Sequence, residues 1–304
     1  MALDIVADFK SDWLEHMRQR LKEIGVKVKA KASADPHKLS HAYWNARFRL
    51  VSVQPRKVFI ATEFTCPVEH KAGLEALIER FEKGEDVNPW LSTTSKIGKF
   101  NDKLLNDWGI QHFHLGGTAN ERNDDCLFAR IVNDAVFFVH VLPHNRYTER
   151  DMVRRIHANW PQLLERFKVP ESVRPSGKDL DDEQVQTLRD KNVVTFLQME
   201  DGTLYYPPGG GLMSSGLSAQ VLINSDAAFH QLKACQAYID EHLETLLEKV
   251  RQQGRTPGTP PRFKLIVEAN HDLYALEVAS VVAFPLGNIF PPRPTKPPID
   301  FTQT

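Results

Sequence analysis

The sequence predicts an α+β protein in two parts, with antiparallel sheets and flanking helices. Three observations carry that expectation. Apolar residues recur at spacings of three and four over residues 8–24 and 226–250, the mark of amphipathic helices. Short alternating or apolar runs bounded by turn residues mark strands in both halves of the chain. The stretch from Gly109 to His157 holds five of the twelve histidines (His112, His114, His140, His144 and His157) and reads as three strands followed by a helix.

In the first helix Phe9, Trp13, Met17, Leu21 and Ile24 form the apolar stripe, and Gly25 follows as its stop. Residues 26–31 then alternate, with Val26, Val28 and Ala30 on one face and Lys27, Lys29 and Lys31 on the other, which predicts a lysine-protected edge strand. Residues 42–62 are expected as strands broken at Pro55, with Arg47 and Arg49 alternating with Phe48 and Leu50. Leu74, Leu77, Ile78 and Phe81 mark a helix ended by Gly84, and residues 99–108 a shorter one ended by Gly109.

His112 and His114 alternate with Phe113 and Leu115, so both imidazoles share one strand face. Residues 126–132 and 136–142 form an expected hairpin. A two-residue loop, Asn133-Asp134, pairs Leu127 with His140 and turns His140 away from Arg130. A three-residue loop pairs Phe128 with His140 and puts Arg130 and His140 on one face. Thr148 suits a helix start, and Met152, Ile156, Trp160, Leu163 and Phe167 continue the stripe through Pro161, where a kink or break is expected.

Residues 168–183 are polar and read as a linker. Beyond it come a short helix at 181–190, strands at 193–199 and 203–206 around Asp201-Gly202, a glycine-rich loop, and a strand at 221–223. A long helix capped by Asp226 follows, and then a hairpin across Asn270-His271-Asp272. The expected parts are an N-terminal α+β domain over 1–168, a C-terminal α+β domain over 178–290, and an extended proline-rich tail over 291–304.

The chain of 304 residues is 41% hydrophobic and 25% charged, an ordinary globular composition with a formal net charge of −1. That balance carries no global footprint of a nucleic-acid binder. The first sixty residues nevertheless hold twelve cations against six acids, a local net of +6. Lys27, Lys29, Lys31, Arg47 and Arg49 are the candidate nucleic-acid contacts there. Three scattered cysteines suggest neither a disulfide framework nor a zinc knuckle and suit a reducing cytoplasm. Asp4 and Asp8 stand where a signal peptide carries cations, and no run approaches eighteen apolar residues, so neither export nor membrane insertion is expected.

Metal-independent phosphodiester cleavage, preferably of RNA, needs a base for the 2′-hydroxyl, an acid for the leaving oxygen and cations for the phosphorane. Histidine and arginine fill those roles near neutral pH. The candidate catalytic residues are His112, His114, Arg122, Arg130, His140 and His144, with Arg146 nearby. No cofactor is expected.

The stretch HFHLGG…R…LFARIVNDAVFFVHVLPH resembles the strand meander of RelE/ParE-like bacterial toxins. The resemblance covers residues 109–157, in order of elements and residue character. It implies basic residues on a small antiparallel sheet that cut mRNA or poison another target.

Two other functional readings stand beside this one. His112 and His114, completed by His140 or His144 with Asp124 or Asp125, have the strand spacing of a metal-dependent hydrolase site. Alternatively the chain is a non-enzymatic component of a bacterial stress or defence system, touching nucleic acid through the basic segment and a protein through the long helix. Gly209-Gly210-Gly211 with Ser214, Ser215 and Ser218 offers backbone amides to a phosphate but lacks the lysine of a P-loop, and a plain loop is expected.

Overall fold

The computed structural model describes residues 6–116, 125–143, 150–173 and 180–289. The α+β class holds, and grouping by contacts gives two compact units. One comprises Met1–Trp44 with Ile223–Thr304, the other Asn45–Leu222. The chain is thus divided differently from the expected cut at 168–178. Thr148 and the tail at 291–304 lie outside the described residues. Among the described residues no helix is long and apolar enough to cross a membrane.

The unit that contains both ends of the chain is built on a sheet of order β1-β8-β9-β10. Its strands are β1 (Val6–Ala7), β8 (Arg262–Val267), β9 (Asp272–Glu277) and β10 (Val282–Asn288). Helix α1 (Phe9–Glu23) buries Phe9, Trp13, Met17 and Leu21, the expected stripe, and Asp12 accepts the Leu265 amide at 2.8 Å, tying helix to sheet. The hairpin at Asn270-His271-Asp272 forms, but its second segment is two strands, not one. The Glu277 carboxylate accepts from Ser280 N and Oγ, holding a turn in which Val281 sits at φ 58°. The long helix α8 (Ala219–Gln252) starts seven residues before Asp226, so the expected strand at 221–223 is its first turn.

Two further expectations fail near the N-terminus. Residues 26–31 do not form a strand, because Ala30, Ala32 and Ala34, the best helix formers, begin the short helix α2 (Ala30–Ala34). Residues 42–49 belong to helix α3 (Pro36–Arg49). Leu39, Tyr43 and Ala46 are buried at a helical spacing that outweighs the strand preference of the aromatic residues among them.

The other unit holds a sheet of order β2-β5-β4-β3, with β2 (Lys57–Ile60) parallel to β5 (Ala135–Pro143) and the pairs with β4 (Asp125–Ile131) and β3 (Gln111–His114) antiparallel. Parallel edges at β1 and β2 make both sheets mixed rather than wholly antiparallel. On one face Phe113, Leu127, Ala129, Val136, Phe138 and Val141 pack with Leu74, Leu77 and Phe81 of helix α4 (Lys71–Lys83). Gly84 ends that helix in the left-handed region at φ 71°.

Helix α5 (Lys103–Trp108) starts later than expected because Asp102 caps it, accepting the Leu105 amide at 3.0 Å. Helix α6 (Asp151–Asn159) stops before Pro161, as expected, and gives way to 3-10 turns. Helix α7 (Asp182–Asp190) opens on a capping box between Asp181 and Gln184. The short hairpin β6 (Leu197–Gln198) and β7 (Leu204–Tyr205) follows.

Candidate functional site

The meander β3 (Gln111–His114), β4 (Asp125–Ile131) and β5 sets the geometry of the predicted histidines. Ala135 O accepts the Val132 amide at 3.0 Å, closing a two-residue loop at Asn133-Asp134. Register then shifts by one between Phe128 and Ala129, so Phe128 pairs with His140 while Arg130 pairs with Phe137. A bulge in β5 therefore joins the short loop to the pairing that the longer loop alone was expected to give.

Strand alternation puts His112, His114, Phe128, Arg130 and His140 on the face opposite the aliphatic core. They do not converge. His112 and His140 both pair with the buried Phe128, from opposite sides. Two strand spacings hold their backbones about 10 Å apart. His112 and His114 are neighbours, with ring centroids 6.2 Å apart.

Each of these residues has a distinct setting. His114 is buried, and its Nδ1 lies 3.6 Å from the Cys126 thiol. Arg130 is enclosed, donates to Trp108 O at 3.0 Å and lies over the Phe167 ring. Burial, with Arg166 nearby, pulls its guanidinium down to about 10. Gly109 is required beside it: its φ is 70°, and a Cβ there would stand 2.5 Å from the Arg130 side chain. His140 is half-buried near Arg155 and Asp151, and burial followed by the Arg155 charge lowers its pKa. Arg122, His144 and Arg146 lie outside the described residues.

His112 lines a cleft of about 410 Å³ together with Phe100, Asn101, Asp102, Lys103 and Gln186. Its Nδ1 lies 3.8 Å from Asp102 Oδ2, and both side chains are nearly enclosed, at 8% and 14% exposure. Lys103 Nζ donates to the carbonyls of Arg189 and Asp190 at 3.1 and 3.2 Å, which fixes the ammonium at the junction of α5 and α7. Below it the Asp107–Arg189 ion pair, at 2.9 Å and almost fully buried, ties the same two helices together. Desolvation raises the Asp107 pKa against the pull of the guanidinium. The arrangement puts an imidazole within the field of a carboxylate, though beyond hydrogen-bond reach of it, in a cleft that a fixed cation also lines. Asp102 and Lys103 carried no signal as a site in the sequence, because their relation to His112 exists only once α5 packs beside β3.

The expected basic contacts separate. Lys27, Lys29, Lys31 and Arg47 are exposed. Arg49 is only 3% exposed and donates to the carbonyls of Phe100, Ser95 and Ile97, so it is committed to the wall of the cleft. Burial lowers it to about 10, against the opposing charge of Asp102. Two residues advance about 200° around a helix, so positions that share a strand face lie on opposite sides of α3.

The metal and glycine-loop expectations find different partners. Asp125 pairs with His70 at 3.0 Å rather than with His112 or His114. Among the described residues no group of three or more His, Cys, Asp or Glu side chains is placed to hold a metal; Asp124 lies outside them. The amides of Gly209, Gly210 and Gly211 donate to Asp107, Pro207 and Asn106 carbonyls. A Cβ on Gly209 would meet Leu105 O at 2.2 Å, so this glycine allows close packing on α5.

A second cleft, about 330 Å³, contains His157, whose Nδ1 lies 2.9 Å from the Tyr205 hydroxyl and whose Nε2 lies 3.3 Å from Asp201. Comparison with protein-family models, curated proteins and solved structures finds no match to the chain.

Proposed function

We propose that the chain is a metal-independent ribonuclease, or a related phosphodiester-cleaving enzyme, acting at the His112 cleft. The observation that carries this reading is the enclosure of His112 beside Asp102 in a cleft that also presents the Lys103 ammonium. His112 takes the proton of the 2′-hydroxyl as that oxygen attacks phosphorus, the P–O5′ bond breaks to leave a 2′,3′-cyclic phosphate, and the departing 5′-oxygen takes its proton from solvent water. The charge of Asp102 favours the imidazolium that forms. Lys103 balances the charge that grows on the phosphorane oxygens.

The antiparallel β3-β4-β5 meander, and its resemblance to RelE/ParE-like toxins, supports the same reading, with a bacterial stress or defence setting. Three cysteines without a disulfide fit a cytoplasmic location. Arg130 and His114 support the sheet in this proposal rather than touch substrate.

The test is RNA cleavage in excess EDTA by the wild-type chain and by the His112→Gln, Asp102→Asn and Lys103→Gln variants, each checked for native circular dichroism. We expect wild-type cleavage, a loss of about 10²-fold or more in kcat for His112→Gln, and smaller losses for the other two. Wild-type-like cleavage by folded His112→Gln, or no cleavage by the wild type, overturns the proposal. A non-enzymatic nucleic-acid binder is the second reading, favoured by the exposed cluster Lys27, Lys29 and Lys31, and it predicts binding without cleavage.

A further inference from the structure

The unit built from both ends of the chain contains a cavity of about 610 Å³, well apart in sequence from the His112 cleft. Its long wall is one stripe of α8: Phe229, Leu232, Lys233, Gln236 and Asp240 recur at helical spacing on a single face. The opposite side is the start of α1, with Lys10, and the start of α3, with His37. The size is that of a small-ligand site.

The chemistry of the lining is unequal. Both carboxylates are occupied within the chain: Asp8 accepts from Ser11 N and Oγ, at 3.0 and 2.6 Å, and Asp240 accepts from Gln236 Nε2 at 3.2 Å. Lys10 and Lys233 are exposed and make no hydrogen bond or ion pair among the described residues. The hydrogen-bond donors left unused in the cavity are therefore the two ammonium groups, whose charge Asp8 and Asp240 balance, with Asp8 in the field of Lys10.

Its apolar part has a shape as well. The His37 and Phe229 rings lie 5.3 Å apart at 59°, forming an aromatic corner above buried Leu232. A flat ring can lie on one member of such a corner and meet the other by its edge.

We propose that this cavity binds a small aromatic anion, a planar ring system carrying a phosphate or carboxylate. The ring occupies the His37–Phe229 corner and the anionic group lies between Lys10 and Lys233. This site is independent of the phosphodiesterase reading and stands or falls without it.

The experiment is isothermal titration of the full chain with adenosine monophosphate, with 2-naphthoate, and with the neutral controls adenosine and 2-naphthalenemethanol. Inorganic phosphate tests the anionic group alone. We expect one saturable site for at least one aromatic anion, with the matching neutral compound about tenfold weaker or worse. Which of the two anions binds more tightly distinguishes a phosphate ligand from a carboxylate one.

The variant Lys10→Glu/Lys233→Glu should lose about tenfold or more in affinity, and Ala237→Trp, which fills the cavity from an exposed helix position, should abolish binding. Native helical circular dichroism confirms that each variant folds, and His112→Gln should bind as the wild type does. The proposal is overturned if neither aromatic anion shows saturable binding, if the neutral compounds bind equally well, or if folded Ala237→Trp binds unchanged.

Discussion

The Nδ1 atom of His140 is buried and makes no hydrogen bond among the described residues, and burial with the nearby Arg155 charge holds its pKa below the ordinary value of 6.5. As pH falls the unfolded chain therefore takes up this proton before the folded chain does. The stability that neutral His140 contributes is whole above about pH 6.5 and is lost below it. Thermal melting from about pH 7.5 to about pH 5 should show a shallower acid decline for His140→Gln than for the wild type. The difference will be partial, because half-buried His41 has a lowered pKa too and retains its own share. An identical decline in the two proteins would sink this account.

Arg49 gives the second residue-scale test. Arg49→Met leaves the Ser95, Ile97 and Phe100 carbonyls short of their donor and should cost about 2–4 kcal/mol in denaturant unfolding, whereas Arg47→Met, at an exposed position, should cost less than about 0.5 kcal/mol. Equal costs would mean that the guanidinium contacts do not matter. These residues also show how far the site was legible. Alternation placed His112 and His114 on one face correctly, because it needs only local backbone geometry. The partners Asp102 and Lys103 depend on a tertiary contact that leaves no local pattern.

Elements were legible where their end signals and their apolar period agreed. Gly84 and Gly109 stop α4 and α5, and Pro161 ends α6, because each acts through its own backbone. The misread elements are those in which residue type and period disagreed: α3 carries Tyr43, Trp44 and Phe48, good strand formers, on a helical burial pattern. The bulge in β5 was hidden for a further reason, since nothing in FFVHV marks which residue is extra.

The packing of α5 against α7 makes the element-scale prediction. Asp107→Ala takes the carboxylate from a buried guanidinium and should destabilise by about 3–5 kcal/mol. The double variant Asp107→Leu/Arg189→Met should recover most of that loss, because it removes the desolvation cost of both charges together. RNA cleavage by the double variant should stay near the wild-type level, since the Arg189 and Asp190 groups that hold Lys103 are main-chain carbonyls, which the substitutions keep. Chemical denaturation of the three proteins decides it: a double variant as unstable as Asp107→Ala would show that the clamp is more than an ion pair.

At the scale of the whole chain, the division into units follows contacts that span most of the sequence. Val6 pairs with Arg262, Asp12 accepts from Leu265, and Ser225 donates to Ser40. A polar stretch near residue 170 is visible to a reader of sequence, whereas contacts across 185 positions or more are not. The same long-range closure puts the exposed lysines of residues 27–31 in one unit and His112 in the other. If the chain acts on RNA, binding and cleavage are therefore separable. Lys27→Ala/Lys29→Ala/Lys31→Ala should weaken binding evenly across RNA sequences. It should also flatten the slope of log affinity against log salt by about 2, at about 0.7 per lost phosphate contact on a single strand. The maximal cleavage rate at saturating RNA should stay at the wild-type level, so the change falls on KM. His112→Gln should do the reverse, holding the salt slope and losing kcat. Filter binding across a salt series, with single-turnover cleavage on the same preparations, measures both. A triple-lysine variant with an unchanged slope would remove the 27–31 segment from the RNA surface and leave the cleft to bind its substrate unaided.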